Sequence, residues 1–143
     1  MTTEHDQRVT HTYTVHFPDH EPRESDPHYK DFNHLRRKLE ADADRWKCDV
    51  GRHRGDWSEC DNTHPLELHH AHIEFALANA VDLKWLANDY PGVDTPDEVG
   101  AWVETADNLM VLCRFHHRGH AGVHTATYAD FEAAKYVRGF IPF

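Results

Sequence analysis

The chain is predicted to be an α+β domain built on a short ββα core. Two brief apolar segments read as strands, one ending in Leu66-Glu67-Leu68-His69-His70 and one over Asn108 to Cys113. Between and around them, apolar residues recur at helical spacing. Cysteine and histidine residues collect at the ends of both strands, as they do where distant segments share a metal ion.

The elements follow in order. Residues 1–27 form a polar extension punctuated by Pro18, Pro22 and Pro27, within which Val9, His11, Tyr13, Val15 and Phe17 alternate as in a short strand. Asp26 followed by Pro27 reads as an N-cap and first-turn pair. Tyr29, Phe32, Leu35, Leu39, Ala43 and Trp46 then predict a helix of about five turns. Its other face carries Lys30, Arg36, Arg37, Lys38 and Arg45, either a solvated face or a stripe for phosphate. Cys48 to Cys60 reads as a loop, and Leu66 and Leu68 as the first strand.

Ile73 to about Ala87 is predicted to be helical, stopped by Tyr90-Pro91-Gly92. Thr95-Pro96-Asp97-Glu98 is a capping box that opens a short helix running through Trp102. After the second strand, Thr125 to Val137 reads as a final helix ended by Gly139. The core domain thus spans 28–143, with a helical insert over about 74–106 between the strands.

At 143 residues with 39% hydrophobic content, the chain can bury one modest core. No apolar run approaches the roughly 20 residues of a membrane helix. The opening Met1-Thr2-Thr3-Glu4-His5-Asp6 lacks signal-peptide character, which predicts a cytoplasmic protein. The net charge of −10 opposes tight non-specific nucleic-acid binding. Most of that charge is confined to residues 61–112, which carry ten acidic side chains and one basic one.

Three cysteines, Cys48, Cys60 and Cys113, favour metal ligation over disulfides. Cys113-Arg114-Phe115-His116 is a C-x2-H knuckle. With Cys48 and Cys60 it offers three sulfurs and one nitrogen, a closed tetrahedral zinc set; the other reading is three ordinary thiols. Among the fifteen histidines, His69 and His70 are neighbours on a strand and therefore face opposite ways. One can hold a metal while the other stays free for proton transfer.

The order and local spacing of His69-His70, Asn108 and His116-His117 resemble the His-Asn-His (HNH) nuclease motif, whose ββα-metal core cuts phosphodiester bonds. The resemblance covers about Cys48 to His124, interrupted by the insert. It implies that His69 binds a catalytic divalent metal (magnesium, manganese, nickel or zinc), that His70 is the general base, and that Asn108 orients the loop. His117 matches the last histidine of the motif, a metal ligand, with His120 or His124 as a further ligand and His120 nearer the usual spacing. His116 would stand where many HNH domains have the second cysteine of a structural zinc knuckle. An alternative register pairs His116 with His120 on the catalytic metal. Arg114 and Arg118 are candidates for phosphate contact or plain exposed charges, and His72 for a polar strand residue or a further ligand. Glu67 or a backbone carbonyl would fix the His70 tautomer.

The small size and the run His116-His117-Arg118-Gly119 are similar to bacteriophage HNH proteins. That likeness implies a DNA partner, the host cytoplasm as location, and a packaging or other protein partner at the acidic insert. A non-enzymatic zinc-stabilised binding module on the same fold, and an RNA-cleaving enzyme, are the competing readings.

Overall fold

A computed structural model of the chain describes residues 2–142. The protein is a small mixed α+β structure with one antiparallel sheet of two strands, β1 (Glu67–His70) and β2 (Leu109–Leu112). Glu67 pairs with Leu112 and His70 with Leu109, so β2 runs from the His70 end back toward Glu67. Period-two alternation sets Glu67 and His69 on one face of β1 and Leu68 and His70 on the other.

Two helices precede the sheet, α1 (Tyr29–Glu40) and α2 (Asp49–Arg54). The insert forms a 3-10 helix (Phe75–Ala80), α3 (Leu83–Asp89) and α4 (Pro96–Val103). A four-residue α5 (Arg114–His117) follows β2, and α6 (Tyr128–Ala134) comes last.

Apolar burial divides in two. One core gathers Val50, Leu112, Phe115, Ala121 and Phe131 around Cys48, Cys60 and Cys113. The other belongs to the insert, where Leu86, Val99, Trp102 and Val103 pack with Ile73, Val81 and Tyr90.

Several expected elements differ from those observed. Residues 9–17 form no strand, and Val9, Tyr13, Val15 and Phe17 are exposed. Alternation alone cannot hold a strand whose backbone finds no ladder partner. Asp26 is not the N-cap of α1; its carboxylate accepts the His28 amide at 2.7 Å in a turn two residues earlier. The helix predicted to reach Trp46 ends at Glu40, because Asp42 bonds the Asp44 amide and draws the backbone into turns.

The expected loop between Cys48 and Cys60 contains α2, closed by Gly55 in the left-handed region at φ 66°. The helix expected over 73–87 breaks at Val81-Asp82. Both residues are extended, and the Asp82 carboxylate caps α3 by accepting from Lys84 and Trp85. The last helix is shorter than expected, starting only after Thr127, whose hydroxyl caps it through the Asp130 amide. The Thr95 cap and Pro96 start of α4 match the sequence expectation.

Candidate metal centres

The first centre joins α2, the turn after it, and α5. Cys48 is the N-cap of α2 and Cys113 the N-cap of α5. Asp49 ties the two regions together by accepting the Val111 amide of β2 at 3.1 Å. Cys60 is placed by a turn in which its amide donates to Trp57. The Sγ atoms of Cys48, Cys60 and Cys113 lie 3.8, 3.8 and 3.2 Å from His116 Nδ1. Each of these residues is buried to 5% exposure or less. Cys48, Cys60, Cys113 and His116 are therefore placed to bind a metal ion such as zinc.

The protonation of the first centre fits a cation. Three crowded thiols cannot all ionise without one. Hydrogen bonds from Cys48 and Cys60 hold Cys113 well below the ordinary thiol value, while Cys113 and Cys48 push Cys60 well above it. Burial alone would lower His116, yet the hydrogen bonds and charge of Cys113 and Cys48 raise it to about 9. A closed set of three sulfurs and one imidazole nitrogen suits tetrahedral coordination.

The second centre brings together His69, His117 and His124, whose ligand atoms all lie within 4.8 Å of one another. His69 comes from β1 and His117 from the end of α5. His124 arrives because the chain doubles back after α5: the Val123 and His124 amides donate to the carbonyls of His116 and His117, at 3.0 and 3.2 Å. The reversal is tight enough to require glycine. A Cβ at Gly122 would meet the His117 carbonyl oxygen at 2.6 Å, and one at Gly119 would meet the Phe115 carbonyl oxygen at 2.8 Å.

This loop decides between two sequence candidates. Were the segment helical, His120 would follow His117 on one face. It is instead a turn, so His120 is exposed and stands outside the group that His124 joins. The alternative register is likewise not realised, since His116 lies with the cysteines and His117 with the histidines.

In the second centre, two of the imidazoles are held in the neutral form that can ligate. Burial, reinforced by His124, His117 and His70, pushes His69 down to about 3. Burial lowers His117 too, against the opposing pull of Glu67. His117 Nε2 and His124 Nε2 lie 3.1 Å apart. Glu67 shares the strand face of His69; its Oε1 is 3.3 Å from His117 Nδ1 and its Oε2 is 2.9 Å from Arg118. The pairing with His117 is close enough for charge attraction but not aligned as a hydrogen bond, so Nδ1 is buried without a hydrogen-bond partner. A carboxylate behind a histidine ligand is the usual way such rings are oriented on a metal.

Around these centres, Asn108 is fully buried and makes four hydrogen bonds. Its Oδ1 accepts from His72 and Ile73, and its Nδ2 donates to the carbonyls of Ile73 and Val103, all at 2.9 Å. It thereby fixes the loop that leaves β1 immediately after His70. His70 itself stacks against Phe32 of α1 at 5.9 Å, and its Nε2 lies 3.2 Å from Oε2 of Glu104. Glu67, expected as an anchor for His70, serves His117 instead, because period-two alternation turns it to the other face.

Arg118 is two-thirds exposed on Glu67, and Arg114 is exposed at the start of α5. His72 lies outside both centres, stacked on Trp102 and tilted against Tyr90. Glu104 and Arg23 escaped sequence reasoning, and Phe32 entered it only as an apolar helix position. No motif contains them, and the contacts of Arg23 with Glu104 span 81 residues.

Comparison with family models, curated proteins and solved structures gave no match.

Proposed function

We propose that the protein is a metal-dependent endonuclease of the HNH type that hydrolyses phosphodiester bonds in DNA. The observation carrying this reading is the clustering of His69, His117 and His124 with the neighbouring His70 left outside the cluster. His69, His117 and His124 would hold a divalent cation, which would supply Lewis-acid stabilisation of the negative charge that builds on the phosphate.

The remaining work falls to side chains of the chain. His70 accepts a proton from the attacking water, and the water oxygen forms the new bond to phosphorus as the bond to the leaving oxygen breaks. Asn108 keeps the His70 loop in register through the four hydrogen bonds of its buried amide. Arg118, paired with Glu67 on the rim, and Arg114, exposed at the start of α5, offer positive charge to the phosphate. The Cys48, Cys60, Cys113 and His116 centre is assigned to structural zinc, which would join α2 and the turn after it to α5.

The reading is tested by incubating supercoiled plasmid with purified protein and magnesium, manganese or nickel. Cutting is expected with at least one of them, and His70→Ala should lower its rate by ~10²–10⁴-fold with the fold unchanged by circular dichroism. Absence of cutting with all three metals would instead favour a binding module, and full cutting by His70→Ala would remove His70 from the role of base. Parallel assays on RNA separate the two nucleic-acid substrates.

A further inference from the structure

Among the described residues, Glu104 has an environment that none of the motif residues shares. Its side chain is 1% exposed and faces two cationic or donor groups from remote parts of the chain. Arg23, in the 3-10 turn Arg23–Ser25 ahead of α1, donates to both carboxylate oxygens, at 2.5 and 3.0 Å. His70 Nε2 lies 3.2 Å from Oε2 and 3.4 Å from Oε1. The Arg23 guanidinium is itself bracketed by rings, 4.5 Å from Phe32, 4.8 Å from Phe75 and 5.3 Å from Tyr29. Phe32 is also the ring that stacks on His70.

We infer that Glu104 is the positioning residue for His70, and that Arg23 locks Glu104, which makes the segment ahead of α1 part of the reaction centre. A carboxylate can only accept, so a proton lying between Glu104 and His70 belongs to Nε2. The neutral ring then carries its lone pair on Nδ1, the state a base needs. Arg23 cannot surrender a proton and binds the carboxylate as a fork, so it holds the acceptor in place without competing for the role. Burial would raise Glu104, but the hydrogen bonds from His70 and Arg23 outweigh it and keep the carboxyl below its ordinary value. The catalytic consequence rests on the nuclease reading of His70; the tautomer itself does not.

The two parts are separable by experiment. Long-range proton–nitrogen spectra of the full-length protein with magnesium, with His70→Ala to assign the ring, report which nitrogen is protonated. The wild type is expected to carry the His70 proton on Nε2. In Glu104→Gln the amide oxygen turns to the Arg23 fork, because Arg23 can only donate. The amide N–H then faces His70 and switches its proton to Nδ1. Plasmid cutting in that variant should fall by on the order of 10³-fold in kcat with little change in KM. Arg23→Lys, which keeps the charge but loses the fork, should give a smaller fall of roughly 10-fold.

A wild-type proton on Nδ1, an unchanged tautomer in Glu104→Gln, or wild-type cutting by that variant would overturn the proposal. The wild-type tautomer decides the first point even if Glu104→Gln does not fold. Should the tautomer switch as expected while no metal supports cutting, the positioning role stands and the nuclease reading falls.

Discussion

The two candidate metal centres share a helical turn yet differ in almost every other respect. His116 and His117 are consecutive on α5, one entering the cysteine centre and the other the histidine centre. The cysteine centre lies in the main apolar core, with all four of its residues buried. The histidine centre is open on one side, where the His124 side chain is 45% exposed and Arg118 and Glu67 form the rim. A closed site with all ligands from protein holds a fold together, whereas an open one leaves room for solvent or substrate. The difference predicts that the first centre governs stability and the second governs chemistry.

Removing metal from the cysteine centre should have the largest effect. Cys113→Ser, or a strong chelator, is expected to cost about 4 kcal/mol or more of stability and to abolish the cooperative thermal transition. A chelated protein that melts cooperatively at the original temperature would break the comparison. Asn108→Ala comes next, since it removes four hydrogen bonds to the backbone, one of them fully buried; a loss of about 3 kcal/mol in urea denaturation is expected.

At the open centre the effects should move from stability to affinity. His124→Ala should weaken binding of the second metal ion by at least ~10-fold in calorimetry, with His120→Ala close to wild type and Glu67→Gln intermediate. Equal losses in His120→Ala and His124→Ala would mean that the reversal after α5 does not persist in solution.

The smallest effect concerns acid. The folded-state pKa of Glu104 lies below its ordinary value of 4.5. The stability it contributes is therefore fully present above 4.5 and is lost as pH falls through the lower folded value. Wild type should exceed Glu104→Gln in denaturant midpoint at pH 7, with the gap narrowing below about pH 4.5. A gap that widens in acid would reverse the sign and exclude a paired carboxylate.

Motif residues were legible because their chemistry is local. The C-x2-H spacing of Cys113 and His116, the adjacent His69 and His70, and the cap at Thr95-Pro96 each depend on a few neighbouring positions. Helix limits were less so. Asp42 and Asp82 lie inside stretches whose apolar spacing predicts unbroken helix, yet one draws the chain into turns after α1 and the other divides the insert, through side-chain bonds that compete with the helical ladder. The alternation at Val9 to Phe17 had the period of a strand but no partner to pair with.

By itself, the sequence determined the mixed α+β class, the two short strands, the cysteine-rich knuckle and the gathering of imidazoles at strand ends. These follow from periodicity and side-chain chemistry within a few residues. Tertiary structure alone decided that His124 rather than His120 completes the open centre, and that Glu104 and Arg23 meet beside His70. Both outcomes depend on where the backbone reverses and on which remote surfaces pack together. Chain reversals and contacts across 81 residues leave no period in the sequence to read.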